Sequence, residues 1–395
     1  MSETAWETYW ALNPQVTYLN HGSFGACPKP VLHQQQQLRA EMESEPTQFF
    51  RHLEPRLDQA REALAAFIGA KSSQLAFVAN ATTAVNTVLR SLVFDPGDEI
   101  LITDHGYNAC SNAVKFVADR YQAKVVVAEI SFPVTSPQAV IDAILAKVSS
   151  RTRLALIDHV TSPTALIFPI AAIVQVLEEK GIPVLVDGAH APGMLPLNLE
   201  EIGASYYTGN CHKWLCAPKG SAFLYVRDED QQAQIRPLVI SHGANREDAT
   251  RSQFHLEFDW MGTADPTPYL CIPEAIQFWS QVLGGGWEQA QQRNHELIVQ
   301  AREYLIQQLG WLSPCPTDMM GSMSSLLLPK AEFSHLSSQQ LHSKLFETFH
   351  IEVPVIKWFS PPQRLIRISA QLYNQFSDYQ ALATALDKIR SKNII

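Results

Sequence analysis

Charge is scarce in this chain. Of 395 residues only 17 % are Asp, Glu, Lys or Arg, against about a quarter in an ordinary soluble protein, and the formal net charge is −9. No basic run or basic-aromatic stripe is present, which argues against a nucleic-acid partner. Long apolar runs are missing too. None approaches the ~18 residues that a membrane span requires. The acidic start Met1-Ser2-Glu3-Thr4-Ala5 lacks the apolar segment of a secretory leader. Six cysteines lie scattered at 27, 110, 211, 216, 271 and 315 with no Cys-x-x-Cys pair, so neither a zinc site nor a disulfide framework is indicated. A cytoplasmic protein with reduced thiols, no membrane contact and no metal is the expectation. The glycine-rich loop of Walker and dinucleotide-binding folds is also absent, which disfavours a nucleotide enzyme.

What is present is a regular alternation. Apolar runs at Leu75–Val78, Glu99–Thr103, Lys124–Ile130, Arg153–Asp158, Pro183–Asp187, Ala204–Thr208 and Ser221–Val226 read as seven strands. Helical periodicity fills the gaps at Thr83–Val93, Ser111–Tyr121, Pro137–Val148 and Ala171–Lys180. Runs such as Val125-Val126-Val127 have no polar alternation, as befits parallel strands buried on both faces. The expectation is an α/β sandwich around a mostly parallel sheet. Before it, Pro30–Ile68 is helical, with Pro46 and Pro55 breaking it into at least two helices. After it, a helix over Pro266–Leu283 leads into the linker Gly284-Gly285-Gly286. Then Trp287–Leu309 is a long amphipathic helix. Strands at Ser324–Leu328, Glu352–Ile356 and Arg364–Ser369, with helices near Ser338–Phe349 and Ser377–Arg390, describe a smaller α+β domain. The expected division is 1–17 as an N-terminal segment packing on the small domain, 18–283 as the large domain and 284–395 as the small one.

Ligands of such sheets bind outside the carboxyl ends of the strands. Asp187, Asp158-His159 and Asp104-His105 lie at such ends. Downstream, the stretch Gly209-Asn210-Cys211-His212-Lys213-Trp214 sits between two strands. A lysine amine attacks carbonyls only when unprotonated, and desolvation or nearby positive charge lowers its pKa. A His-Lys pair alone is usually a solvated loop. A strand-end Asp187 followed by a loop Lys213 is what pyridoxal 5′-phosphate (PLP) requires: an amine to hold the aldehyde as a Schiff base, and a carboxylate to keep the pyridine nitrogen protonated. Ala79-Asn80-Ala81-Thr82-Thr83 joins a strand to a helix start, with Thr82 as the expected N-cap and free N–H groups suited to phosphate. Tyr107, after the next strand, can stack on a flat ring. Arg367 falls inside an apolar strand and demands an anion: an internal carboxylate or a substrate's. Asn20 and His21, in Tyr18-Leu19-Asn20-His21-Gly22-Ser23-Phe24-Gly25, are candidates to line a pocket.

Asp187-Gly188-Ala189-His190, His212-Lys213 with Pro218-Lys219-Gly220, and Arg367-Ile368-Ser369 together resemble the class V aminotransferase family of fold-type I PLP enzymes. The opening Tyr18–Gly25 motif resembles its isopenicillin N epimerase-like branch. The resemblance covers nearly the whole chain. It implies a seven-stranded PLP-binding domain and a homodimer with the active site at the interface. It implies Lys213 as Schiff-base lysine and Asp187 on the pyridine nitrogen. His190 falls near the phenolic oxygen or ring edge, and Tyr107 against the ring. Ala81, Thr82, Asn210 and His212 fall at the phosphate. Ser162 or Thr161 stands where relatives place an Asn on the phenolic oxygen. Gly262-Thr263 resembles the segment reaching the phosphate from the neighbouring subunit, and Arg367 the clamp on the substrate carboxylate. The implied reaction is epimerisation at Cα through a quinonoid, with C–S lysis or transamination as alternatives. The family's cysteine desulfurases carry a nucleophilic Cys shortly before the Arg; no Cys lies between Ile351 and Ile366 here.

Overall fold

The computed structural model describes residues 3–359 and 362–391. The seven expected strands form one sheet: β1 (Leu75–Val78), β2 (Glu99–Thr103), β3 (Lys124–Ala128), β4 (Thr152–Asp158), β5 (Val184–Asp187), β6 (Tyr206–Asn210) and β7 (Ala222–Val226). Their spatial order is β1-β7-β6-β5-β4-β2-β3, and only β7 runs antiparallel to its neighbours. Successive side chains leave opposite faces of a strand, and both faces are covered. Ile100, Leu154 and Leu185 pack under helices α1 (Ala81–Ser91) and α2 (Asn108–Tyr121) with Val85, Val88 and Val114. Leu101, Ala155, Ile157 and Val186 meet Leu57 and Leu64 of the helix Leu53–Ile68 and Ile173 and Leu177 of the helix Ile170–Glu179. That double cover explains the unbroken apolar runs.

Several local expectations are corrected. β3 stops at Ala128, not Ile130, because the Ile130 N–H leaves the ladder for the Asp104 carboxylate at 2.9 Å. α1 begins at Ala81 and is capped by Asn80 rather than Thr82: the Asn80 side chain accepts the Thr83 N–H at 2.8 Å. Pro55 breaks nothing. It sits in the first turn of Leu53–Ile68, where a missing N–H has no cost, and the chain breaks at His52 instead. The helix expected over Pro266–Leu283 is two, Thr267–Leu270 and Ile272–Val282, the second carrying Pro273 at its start. The glycine run is less a linker than a helix start, since Gly286 opens the 24-residue helix Gly286–Leu309.

The C-terminal part is a three-stranded antiparallel sheet in the order β9 (Val355–Phe359), β10 (Pro362–Ser369), β8 (Met323–Leu327), covered by Gly286–Leu309, Ser338–Phe349 and Phe376–Arg390. The expected strand Glu352–Ile356 splits around Pro354. Ile351–Glu352 pairs in parallel with Thr17–Tyr18, and β9 starts afresh at Val355. The N-terminal residues therefore meet the C-terminal part: Trp6 lies 4.6 Å under Arg293, and Trp10 packs 5.2 Å from Tyr373. No helix among the described residues is long and apolar enough to cross a membrane.

Candidate active site

The carboxyl ends of β4, β5 and β6 and the N-termini of α1 and α2 converge on a cavity of about 510 Å³. Its lining includes Thr82, Thr83, Tyr107, Asp158, Ser162, Asp187, His190, Asn210, His212 and Lys213, so sheet topology assembles most of the residues picked out in sequence.

Asp187 ends β5 in register with Asp158 on β4, and both are buried. Asp187 Oδ1 accepts the Ala189 N–H at 3.0 Å, and Oδ2 accepts the Cys110 thiol at 3.1 Å. Burial, then the charge of Asp187, holds the Asp158 carboxyl well above the usual carboxylate range. Gly188 follows because the Tyr207 ring passes so close that a Cβ there would lie 2.3 Å from it.

After β6 the chain turns back to β7 through a loop pinned by Ser221, whose carbonyl accepts the N–H groups of Cys211 (3.0 Å) and His212 (3.2 Å) and the His212 Nδ1–H (2.9 Å). Lys213 projects from this loop with Nζ 3.2 Å from His190 Nε2. The Trp214 indole N–H lies 3.4 Å from His190 Nδ1. An indole nitrogen only donates, so Nδ1 accepts and the ring proton sits on Nε2, facing the lysine nitrogen. That arrangement matches an unprotonated amine. Burial first, and the Arg367 charge second, push Lys213 down to about 8. Burial, then Lys213, holds His190 well below the usual histidine range. The pair is a neutral imidazole beside an amine that gives up its proton more readily than an exposed lysine does.

The N-terminus of α1 forms another wall. Its first-turn N–H groups have no partners within the helix. The Ala81 N–H is engaged, however: it donates to Asn210 Oδ1 at 2.9 Å. Thr82, Thr83 and His212 line the cavity around it. Tyr107 precedes α2 and is 46 % exposed.

Arg367, on β10, is 4 % exposed. Nη1 donates to the Ser162 carbonyl (2.5 Å) and Oγ (3.3 Å), and Nη2 to Ser23 Oγ (2.9 Å). No carboxylate is among its partners in the described residues. Desolvation pushes the guanidinium down to about 10. Ser162, not Thr161, faces the cavity. The Thr161 hydroxyl is 2.7 Å from Thr164 Oγ1 and accepts the Leu166 N–H at 2.9 Å.

Two expectations move. Asn20 and His21 do not line the cavity: Asn20 Nδ2 donates to Glu352 Oε1 at 2.8 Å, and His21 lies against the Lys213 carbonyl at 3.1 Å, behind the lysine loop. Ser23 and Phe24 of the same turn take that place. Thr263 is exposed in Gly262–Asp265 and does not line the cavity within one chain. Cys110 was not anticipated at Asp187, although it lies one helical turn after Tyr107.

The sequence matches the profile of the family Aminotransferase class-V over residues 18–382. The chain belongs to the class-V aminotransferase family. It is 35 % identical to an isopenicillin N epimerase of Amycolatopsis lactamdurans, over 98 % of this chain and 100 % of that one. It is 32 % identical to a probable chloroplastic L-cysteine desulfhydrase of Arabidopsis thaliana, over 95 % of this chain and 83 % of the relative. Among solved structures, a cysteine desulfurase from Escherichia coli superposes with a TM-score of 0.80 at 19 % identity over 100 % of both chains, which establishes the fold as fold-type I. The family's cofactor is PLP, and the residues fit it: a buried amine whose pKa is pushed down to about 8, a buried carboxylate whose Oδ2 receives a thiol, and a helix start whose Thr82 lines the cavity.

Proposed function

We propose that this chain is a PLP-dependent enzyme acting at the α-carbon of an amino acid, and that its reaction is epimerisation. The observation that carries the substrate class is Arg367. A buried guanidinium that is itself outside the cavity lining, with only neutral partners, is held by Ser162 and Ser23, which line the cavity together with Lys213, and an α-carboxylate passing between them is the anion that completes it. The bound cofactor supplies an aldehyde carbon and an electron-withdrawing ring that acidifies Cα–H. Lys213 would hold the cofactor at its aldehyde carbon and is the amine that would carry the proton at Cα. Asp187 would pair with the pyridine nitrogen, His190 would lie by the phenolic oxygen or the ring edge, and Tyr107 would lie against the ring. Thr82 at the start of α1, with Asn210 and His212, would hold the phosphate. Arg367, flanked by Ser162 and Ser23, orients the amino acid.

Epimerisation needs proton donors on two sides of Cα. Lys213 is one. With His21 behind the lysine loop, the candidates for the second are the Tyr107 phenol and a residue of the other subunit. The epimerase relatives, matched over the length of both chains, support this reading. A second reading is C–S lysis, which needs a single base at Cα. It is supported by Lys213 being the one amine in the cavity and by relatives named L-cysteine desulfhydrase. Cysteine desulfuration is disfavoured, because all six cysteines are buried and none lines the cavity. The half-exposed Tyr107, the exposed Phe24 and the exposed Gly262-Thr263 support a homodimer in which Thr263 reaches the partner's phosphate site.

Product analysis separates the readings. L-cysteine, L-cystine, isopenicillin N and a panel of L-amino acids are incubated with PLP-loaded protein, without a keto acid. A D-epimer by chiral chromatography supports epimerisation. Pyruvate with released thiol or sulfide replaces it with C–S lysis. Neither product, with Cα–H unexchanged throughout, defeats both.

A further inference from the structure

His21 sits where sequence reasoning did not place it. It is fully buried, with Nε2 3.1 Å from the Lys213 carbonyl oxygen and Nδ1 2.9 Å from the Tyr373 phenol oxygen. A carbonyl only accepts. The carbonyl is the nearest partner, so the ring proton is on Nε2 and Nδ1 accepts the Tyr373 O–H; the Gln371 amide nitrogen, 3.4 Å from Nε2, donates instead to Cys216 Sγ at 3.7 Å. Burial pushes the imidazole down to about 3, so this neutral tautomer persists through any working pH.

The rest of the turn is built around the same contact. Gly25 closes it at φ +68°, and a Cβ there would lie 2.3 Å from the His212 carbonyl oxygen and 2.8 Å from that of Lys213. Lys219 Nζ holds the Gly25 carbonyl at 2.7 Å. On its other side, Ser23 Oγ takes Arg367 Nη2 at 2.9 Å, and the His21 N–H donates to Ser369 Oγ, two residues beyond Arg367, at 2.8 Å. One short turn thus grips the backbone of the lysine and the strand and side chain of the arginine.

We propose that His21 is a positioning residue: its Nε2–H bond fixes the Lys213 peptide, and with it the reach of the amine into the cavity, while its turn keeps that lysine in register with Arg367. This inference rests on Lys213 being the cofactor's lysine. A packing histidine with no such role makes a different prediction, because Gln and Asn place an amide N–H where Nε2 and Nδ1 stood, respectively. His21→Gln retains a donor to the Lys213 carbonyl; His21→Asn does not. Tyr373→Phe removes the hydrogen bond that anchors Nδ1 and leaves the Nε2–H bond to the carbonyl in place, so the ring is held at one end only.

The test measures two properties of each full-length variant: the rate of PLP uptake by stripped protein and the pH titration of the bound cofactor's visible band. A misplacement on the scale of an ångström slows a reaction by up to ~10²-fold. The expectation is uptake slowed roughly 10- to 100-fold and a shifted band pKa in His21→Asn. His21→Gln should stay within about threefold of wild type, and Tyr373→Phe should fall between. Both His21 variants lose ring packing, so melting temperature alone does not separate them. Equal uptake rates and equal band pKa values in His21→Gln and His21→Asn overturn the inference. A visible band retained in Lys213→Ala is a separate result; it overturns the reading of the lysine and this inference with it.

Discussion

Replacing Arg367 by Ala gives the most informative single perturbation. The guanidinium is 4 % exposed and carries its charge against two hydroxyls and a carbonyl. An incoming carboxylate replaces no existing ion pair, so the gain on binding is that of a desolvated, charge-assisted contact. Removing one partner of such a pair costs about 2–5 kcal/mol, or roughly 30-fold to several-thousand-fold in affinity. The assay is a titration of the cofactor's visible spectrum with an amino acid and with its α-amide. Wild type should prefer the acid by a factor in that range, and Arg367→Ala should bind acid and amide alike. Truncation also leaves a cavity and takes the donor from the buried Ser162 carbonyl, so the melting temperature should fall, and the acid-to-amide ratio, which that loss does not change, is the readout. A variant that still prefers the acid by the wild-type factor refutes the carboxylate role of Arg367.

Further outcomes follow from the same geometry. Lys213 titrates at about 8 in the folded protein. The free base is the nucleophile, so PLP uptake should rise about tenfold per unit between pH 6 and 7 and level off above 8; a rate flat across that window contradicts the poised amine. Gly25→Ala forces a side chain into a left-handed position against the Lys213 loop. Strain alone costs about 1–3 kcal/mol, so a fall in melting temperature with weakened PLP binding is expected, and a wild-type variant contradicts the packing. With every thiol buried, iodoacetamide should leave the native protein active and unlabelled. Stoichiometric labelling with loss of activity would revive a thiol mechanism.

The sheet was legible because parallel strands buried on both faces leave unbroken apolar runs, and Asp187 and Lys213 were legible because both follow such runs directly. What failed was orientation within turns. Composition shows that Asn20-His21-Gly22-Ser23-Phe24 is a turn but not which side chains point out, and the four-residue helix His21–Phe24 sends Ser23 forward and His21 back. The cap of α1 was misassigned by two residues because Asn80 and Thr82 are both good caps. Only the bond to the Thr83 N–H decides between them. Cys110 at Asp187 depends on how α2 docks on β5, a tertiary fact with no local signature.

The most direct test of the central claim, Cα chemistry driven by Lys213 on bound PLP, is proton NMR in D₂O with amino-acid substrates and no keto acid. The account predicts loss of the Cα proton signal with wild-type protein and none with Lys213→Ala. Exchange that persists in Lys213→Ala at the wild-type rate would contradict it.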